Sequence, residues 1–163
     1  MGIYLSLGSN LGARYNQLHN ALITLEVRDL CQVCTISRCY ETAPWGLCDQ
    51  PPFLNIAAEI KTALEPLEFL RHIKKVESII GRTESEHWGP RAIDIDIILW
   101  NDMQIETSKL ILPHALFRER AFVLIPLAEI APEAQDPVTK RTVQKLCNQL
   151  INQHRDVWLY QSP

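Results

Sequence analysis

The sequence predicts an α+β fold, with one β-sheet packed against helices in a single domain that spans residues 1–163. In short segments the side chains alternate between two faces with a period of two, as in β-strands. Longer segments repeat apolar residues at helical spacing. The first six elements follow the order strand, helix, strand, strand, helix, strand. This order is the ferredoxin-like βαββαβ pattern, whose two crossovers place four strands in one sheet with both helices on the same side.

The first half of the chain contributes three of these strands and one helix. Ile3–Leu7 is a short apolar strand, Cys31–Tyr40 is a second strand rich in β-branched residues, and Phe53–Lys61 is a third. Apolar residues at alternating spacings of four and three indicate the helix: Leu11, Tyr15, Leu18, Leu22 and Leu25. Thr42–Pro52 contains three prolines and a glycine, which predicts a loop before the third strand.

The second half completes the core. Pro66 suits the first turn of a helix, and Gly81 is typical of a helix C-terminus. Arg82–Pro90 is polar and predicts a loop, and it leads into the alternating strand Ile93–Trp100.

Further elements are predicted beyond the βαββαβ core. Ile105 and Leu110–Leu112 indicate a small hairpin. Phe122–Ile130 has helical character despite Pro126, and apolar residues between Val143 and Ile151 indicate a final helix. The full expectation is a ferredoxin-like core with an additional C-terminal hairpin and helices.

Composition argues against several classes of protein. A formal net charge of −3 at pH 7 does not suit a general nucleic-acid binder. No apolar run approaches the roughly 20 residues of a membrane helix, and the N-terminus does not resemble a signal peptide. Cys31 and Cys34 are the only cysteines at metal or redox spacing, so we expect free thiols. We expect a cytoplasmic monomer with small-molecule partners, without nucleic-acid or membrane partners.

The stretch from His87 to Trp100 carries the chemistry. Asp94 and Asp96 share one face of the predicted strand, and such i and i+2 side chains lie roughly 7 Å apart. Paired carboxylates bind hard cations, and Arg91 just before them can meet an anion, so the pattern favours phosphoryl-group chemistry. The alternative is that both acids lie on the solvated side of an amphipathic strand. Against it, Ile98 and Trp100 follow on the same predicted face.

The run H-W-G-P-R-A-I-D-I-D-I-I resembles the signature of the 6-hydroxymethyl-7,8-dihydropterin pyrophosphokinase (HPPK) family. The resemblance extends from L-G-S-N-L-G at Leu7–Gly12 to A-P-E at Ala131–Glu133. It implies a transferase of folate biosynthesis, a kinase that moves a pyrophosphoryl group from ATP to 6-hydroxymethyl-7,8-dihydropterin and releases AMP. It also implies ATP as co-substrate and two Mg²⁺ ions.

The resemblance assigns site residues. The implied catalytic residues are Arg82, Arg91, Asp94 and Asp96, of which the two aspartates hold the metal. The residues implied to bind the pterin are Thr42, Ala43, Pro44, Trp45, Phe53, Asn55, Trp88, Arg120 and Phe122. The residues implied to bind ATP are Lys74, Glu77, Arg82, Trp88, Arg91, Ile97, Lys109, Ile111 and His114. In this scheme Phe53 and Phe122 sandwich the pterin, and Asn55 hydrogen bonds to its amide edge.

Four positions depart from the family pattern. Glu84 stands where a second loop arginine is familiar, and the other departures are Lys109, Ile111 and Ala115. Lys109 keeps a charge but loses the bidentate geometry of arginine. Ile111 and Ala115 lose hydroxyl groups, so the departures concern nucleotide affinity and loop closure more than the reaction.

Two other functions remain compatible with the residues alone. Acids on a ferredoxin-like sheet also suit a nucleotidyl-transfer or cyclase-like enzyme, whose product would include pyrophosphate. A non-catalytic nucleic-acid or regulatory module is the second alternative, but it should carry a basic sheet face with exposed aromatic residues. Asp94 and Asp96 on the predicted face argue against that module.

Overall fold

The computed structural model describes residues 2–43, 50–81, 92–151 and 157–161. The helices are α1 (Arg14–Val27), α2 (Pro66–Ile80), α3 (Ala121–Ile130) and α4 (Val143–Ile151). The strands are β1 (Ile3–Ser9), β2 (Gln32–Ile36), β3 (Tyr40–Thr42), β4 (Phe53–Lys61), β5 (Asp94–Trp100), β6 (Ile105–Glu106), β7 (Ile111–Leu112) and β8 (Val157–Leu159). A 3₁₀ turn at Phe117–Glu119 precedes α3.

Six of these strands form one antiparallel sheet. Its order is β5-β1-β4-β3-β8, and β2 pairs with β4 beside β3. The core strands therefore lie in the order expected for the ferredoxin-like pattern. Each helical crossover connects two strands that have a third strand between them. β6 and β7 form the predicted hairpin as a separate two-stranded sheet.

Helices cover both faces of the sheet. The first apolar cluster joins one face to α1 and α2, through residues such as Leu18, Leu25, Phe69 and Ile73. The second cluster joins the opposite face to α3 and α4, and Leu124 is fully buried in it. The site described below lies at one end of this second face.

The helix across Pro126 forms as predicted, because neighbouring packing compensates for the hydrogen bond that proline cannot donate. Among the described residues, no helix is both long and apolar enough to span a membrane.

The structure differs from the prediction at the second strand. Cys31–Tyr40 forms two short strands, β2 and β3, rather than one, and both pair with β4. A register irregularity in the β2–β4 pairing between Val33 and Thr35 marks where the ladder is disturbed. The C-terminal strand β8 was not predicted.

The predicted alternation of side chains between the two faces of β5 does not hold at the C-terminal end of the strand. Ile97 pairs with Leu5 while Leu99 pairs with Tyr4, so Ile98 is an extra residue in a β-bulge. The bulge moves Leu99 into the cluster that α3 and α4 cover and Trp100 into the opposite cluster. Trp100 therefore does not share a face with the two aspartates, contrary to the prediction.

Candidate active site

Three neighbouring strands bring the predicted site residues together in two rows. Gly8 of β1 pairs with Asn55 of β4 on one side and with Asp94 of β5 on the other. One row further, Ser6 pairs with Asp96. Directly paired residues in an antiparallel sheet place their side chains on the same face. The first row therefore aligns Asn55 with Asp94 across the sheet, and Asp96 lies on the same face one row further.

Asp96 lies close to two nitrogen donors without a tight contact. Its Oδ2 atom is 3.8 Å from Arg120 Nη1 and 3.8 Å from His114 Nε2. Both distances exceed those of hydrogen bonds, and the Asp96 side chain remains 32% exposed. Burial among protein groups and the nearby Asp94 carboxylate raise the pKa of Asp96 to about 6. A cation placed beside such a carboxylate stabilises its charged form.

His114 is neutral at physiological pH. Burial and the positive charge of Arg120 lower the pKa of this histidine to about 4. Its Nδ1 atom accepts a hydrogen bond from the Leu116 backbone N–H at 3.2 Å. The neutral ring therefore carries its proton on Nε2, the nitrogen that faces Asp96. His114 thus offers a hydrogen-bond donor rather than a charge.

Arg120 and Phe122 lie at the start of α3, with the Arg120 guanidinium group beside Asp96. Arg120 is 9% exposed, and the backbone N–H groups of Val123 and Leu124 bond to its carbonyl oxygen. Its guanidinium carbon lies 5.7 Å from the centre of the Phe122 ring, within the range of a cation–π contact. Phe122 is only partly buried.

Asn55 is oriented by Thr42. The Asn55 Nδ2 group donates a buried hydrogen bond of 3.0 Å to Thr42 Oγ1, and both side chains are almost fully buried. A Cβ atom on Gly8 would meet Asn55 Oδ1 at 3.2 Å, so this oxygen lies above Gly8 on the side of the cleft. The arrangement presents an acceptor beside Phe53, which is partly buried. Ala43, the neighbouring predicted pterin residue, is exposed.

The residues predicted to bind ATP differ in where their side chains lie. Glu77 is 1% exposed and accepts a hydrogen bond of 2.8 Å from the Ile95 backbone N–H, so it supports β5 from α2. Lys74 is half-exposed and pairs with Glu77 at 3.0 Å. Ile97 is buried in the core, so a nucleotide contact would use its backbone. Lys109 and Ile111 are exposed.

Five predicted site residues lie outside the described part of the chain: Pro44, Trp45, Arg82, Trp88 and Arg91. Sequence reasoning also missed one member of the site. The predicted first strand ended at Leu7, before Gly8, although Gly8 belongs to the L-G-S-N-L-G run. Its position between Asn55 and Asp94 depends on strand pairing and could not be read locally.

The donor set suits a hard cation that a substrate helps to bind. Mg²⁺ is usually held by one or two carboxylates together with substrate phosphates and water. Asp94 and Asp96 supply two carboxylates on one face. Within the described ranges, no group of three or more histidine, cysteine, aspartate or glutamate side chains is arranged as a complete protein cage.

Comparisons with known proteins show the family of the chain. The family model described as 7,8-dihydro-6-hydroxymethylpterin-pyrophosphokinase (HPPK) matches residues 4–132. A Bacillus subtilis protein named 2-amino-4-hydroxy-6-hydroxymethyldihydropteridine pyrophosphokinase is 46% identical over 136 residues, covering 83% of this chain and 81% of its own length. An Aquifex aeolicus protein of the same name is 41% identical, with 88% of both chains covered.

Solved structures share the fold at low sequence identity. A crystal structure of HPPK-DHPS in complex with substrates has a TM-score of 0.78 and 14% identity, covering 96% of this chain. A Plasmodium falciparum HPPK-DHPS structure with pteroate has a TM-score of 0.75 and 18% identity, covering 93% of this chain. This chain spans just under half of the length of these two structures, at 46% and 42%. The predicted ferredoxin-like α+β fold is confirmed.

Proposed function

The chain belongs to the 7,8-dihydro-6-hydroxymethylpterin-pyrophosphokinase family, and from this premise we infer its reaction. It transfers a pyrophosphoryl group from ATP to 6-hydroxymethyl-7,8-dihydropterin in folate biosynthesis. The pterin hydroxyl group releases its proton to solvent and its oxygen forms a bond to the β-phosphorus. The bond between that phosphorus and the α,β-bridging oxygen breaks, and AMP leaves. The family resemblance predicted from the sequence is confirmed, and the match favours this kinase over the nucleotidyl-transfer and non-catalytic alternatives.

We propose that Asp94 and Asp96 hold two Mg²⁺ ions together with the phosphates of ATP. The observation that carries this proposal is the placement of both acids on one face, with Asp94 in register with Asn55 across Gly8 and Asp96 one row further. Magnesium would supply neutralisation of phosphate charge and a lowered pKa for a bound hydroxyl group. Both aspartates must be ionised to take part, so a metal ion beside Asp96 would favour its charged form.

The pterin is proposed to lie between Phe53 and Phe122. Flat heterocycles stack on aromatic rings, and such pairs add about 0.5–1.5 kcal/mol beyond the burial of area. Asn55 Oδ1 would accept a hydrogen bond from an N–H of the ring. Because neighbouring strands lie about 4.8 Å apart, Asn55 and Asp94 are separated by roughly 10 Å. This spacing suits a fused two-ring substrate that is held at one end and reacts at the hydroxymethyl group at the other.

Arg120 and His114 are proposed to act on the transferring phosphates. Arg120 is held above Asp96 by its buried position at the start of α3, so its charge is fixed before substrate arrives. The neutral His114 can donate its Nε2 proton to a phosphate oxygen. Catalysis of phosphoryl transfer consists mostly of such positioning and charge stabilisation, because the protein contributes little covalent chemistry.

The reaction is tested by incubating the protein with ATP, Mg²⁺ and 6-hydroxymethyl-7,8-dihydropterin and measuring AMP. We expect Asp96→Ala to lower turnover by at least ~100-fold, because the stabilisation of phosphate charge is lost. Asp102→Ala is the matched control, since Asp102 is an exposed acid in the turn after β5. Production of pyrophosphate instead of AMP by the wild type would contradict the reaction. Equal turnover by the two variants would contradict the metal-binding role.

We also propose that the chain acts as a cytoplasmic monomer on its small-molecule substrates. Its negative net charge and its site for two small molecules favour small-molecule substrates over a nucleic-acid partner. Light scattering after size-exclusion chromatography measures the state directly, and a mass of twice the 18.7 kDa chain would contradict the monomer.

A further inference from the structure

Gly8 lies at the centre of the site, and its backbone conformation does not require a glycine. Its φ angle is not in the left-handed region, unlike those of Gly12 and Gly81. Alanine could adopt the same extended backbone. The absence of a side chain is therefore a matter of space rather than of backbone conformation.

The space that a side chain on Gly8 would fill lies in the cleft and not in the hydrophobic core. A Cβ atom on Gly8 would lie 3.2 Å from Asn55 Oδ1 and 3.8 Å from Phe53 Cδ1. In the described part of the chain, no other heavy atom beyond its immediate neighbours lies within 4 Å of that point. Both atoms belong to side chains that the proposed function assigns to the pterin.

Asn55 cannot move aside freely. Its Nδ2 group donates a buried hydrogen bond of 3.0 Å to Thr42 Oγ1, and the residue is 3% exposed. A Cβ contact at 3.2 Å requires the neighbour to shift by a few tenths of an ångström. Such a shift would strain or break the bond to Thr42 and turn the Asn55 acceptor away from its present direction.

We propose that Gly8 is a specificity-determining residue of the pterin site. Its bare backbone forms the floor of the slot between Phe53 and Phe122, along which one edge of the flat ring runs from the acceptor of Asn55 to Asp94. The missing Cβ atom keeps the ring in contact with Phe53 while the hydroxymethyl group reaches the acids. This inference rests on the proposed function, because it names the floor of the same site.

The test compares Gly8→Ala with the wild type in steady-state kinetics and in binding. We expect the KM for 6-hydroxymethyl-7,8-dihydropterin to rise about 10-fold, because overfilling a fitted space is costly. Binding of α,β-methylene-ATP with Mg²⁺ should stay within about twofold, since no phosphate ligand changes. Gly8→Val should raise the pterin KM further, because a larger side chain fills more of the floor.

Thermal unfolding and nucleotide binding serve as internal controls for folding. If Gly8→Val does not fold, Gly8→Ala alone decides the outcome, because its backbone conformation is compatible with alanine. An unchanged pterin KM in Gly8→Ala, or equal losses for pterin and nucleotide, would overturn the inference. A wild-type protein that produces no AMP from these substrates would instead refute the proposed function, so the two failures are distinguishable.

Discussion

The proposed function requires a charged Asp96, and in the protein without metal this charge lowers the free energy of unfolding. The pKa of an aspartate in an unfolded chain is near 3.8, and burial beside Asp94 raises it to about 6 in the folded protein. Between pH 4 and 6 the unfolded chain releases this proton while the folded protein keeps it. The free energy of unfolding therefore falls as pH rises through this range. Above about pH 6 the ionised carboxylate is a net cost in the protein without bound metal.

We expect Asp96→Asn to raise the free energy of unfolding of the metal-free protein by about 1 kcal/mol at pH 7.5. This figure is well below the full value of the pKa shift, because the side chain is partly exposed and screened. At pH 4 the gain should nearly vanish, since the folded wild type is then neutral at this position. Urea unfolding at both pH values, with a chelator present, measures the difference.

Asp102→Asn is the control for this experiment, because Asp102 is exposed and should show little change at either pH. A lower free energy of unfolding for Asp96→Asn at pH 7.5 would show that the carboxylate stabilises the fold. The same variant should lose activity, so stability and turnover should change in opposite directions.

At the scale of elements, the connection between α3 and α4 depends on one buried acid. Asp136 is fully buried and receives two hydrogen bonds of 2.7 Å from the guanidinium group of Arg118. The Thr139 hydroxyl and the Val138 backbone N–H also donate to it. Burial alone would raise the pKa of Asp136, but these donors lower it to about 2. This network fixes the path of the chain between the two helices of the second layer.

Replacing Asp136 with asparagine should lower the free energy of unfolding by about 3 kcal/mol at pH 7. The cost arises because Arg118 keeps its charge in a partly buried place and loses its two-pronged acceptor. The stabilisation by Asp136 is fully present above about pH 4 and is lost as pH falls towards 2, because the folded pKa lies below the unfolded value.

Urea unfolding at pH 7 and an acid titration of the wild type and Asp136→Asn test this expectation. Glu133→Gln is the matched control in the same connection, since Glu133 is exposed and should matter little. A loss of the same size in both variants would argue that the network contributes nothing specific.

At the scale of the whole molecule, one sheet holds two cores together. Phe69 of α2 is fully buried in the first cluster, with its ring 5.8 Å from that of Trp100. Leu124 of α3 is fully buried in the second. Because β1, β4 and β5 contribute side chains to both clusters, loss of either layer uncovers the shared sheet. We therefore propose that residues 1–163 unfold as a single domain.

Phe69→Ala and Leu124→Ala should each lower the free energy of unfolding by about 3 kcal/mol, since each leaves a cavity in a filled core. In both variants, circular dichroism and tryptophan fluorescence should report one transition with the same midpoint. Ile23→Ala is the control, because Ile23 is 54% exposed. A separate early transition in Leu124→Ala alone would show that α3 and α4 form an independent unit.

Much of the fold follows from local periodicity. The alternating residues of β4 and β5 and the helical spacing of α1 were sufficient to predict these elements, because side-chain direction repeats with a period set by the backbone. The D-x-D pair was equally visible, since i and i+2 residues share a face on any strand. The predicted single strand Cys31–Tyr40 was wrong because an interruption in pairing depends on the partner strand β4 and leaves no local signal.

Other features depend on residues that are distant in sequence. The three residues of β8 are too few to show a period, and they become a strand only because β3 offers an open edge. The bulge at Ile98 and the burial of Glu77 against Ile95 are decided by register and by the packing of α2. Neither can be seen in a short window of sequence.

The amino-acid order alone was enough to establish the family, the order of the core elements and the acid pair, because these depend on residues close together in the chain. The row of Asn55, Gly8 and Asp94, the bond from Asn55 to Thr42 and the position of Arg120 above Asp96 required the folded chain. Strand register and the packing of α3 bring these residues together. Both are set by the summed burial of side chains on two faces of one sheet rather than by any local pattern.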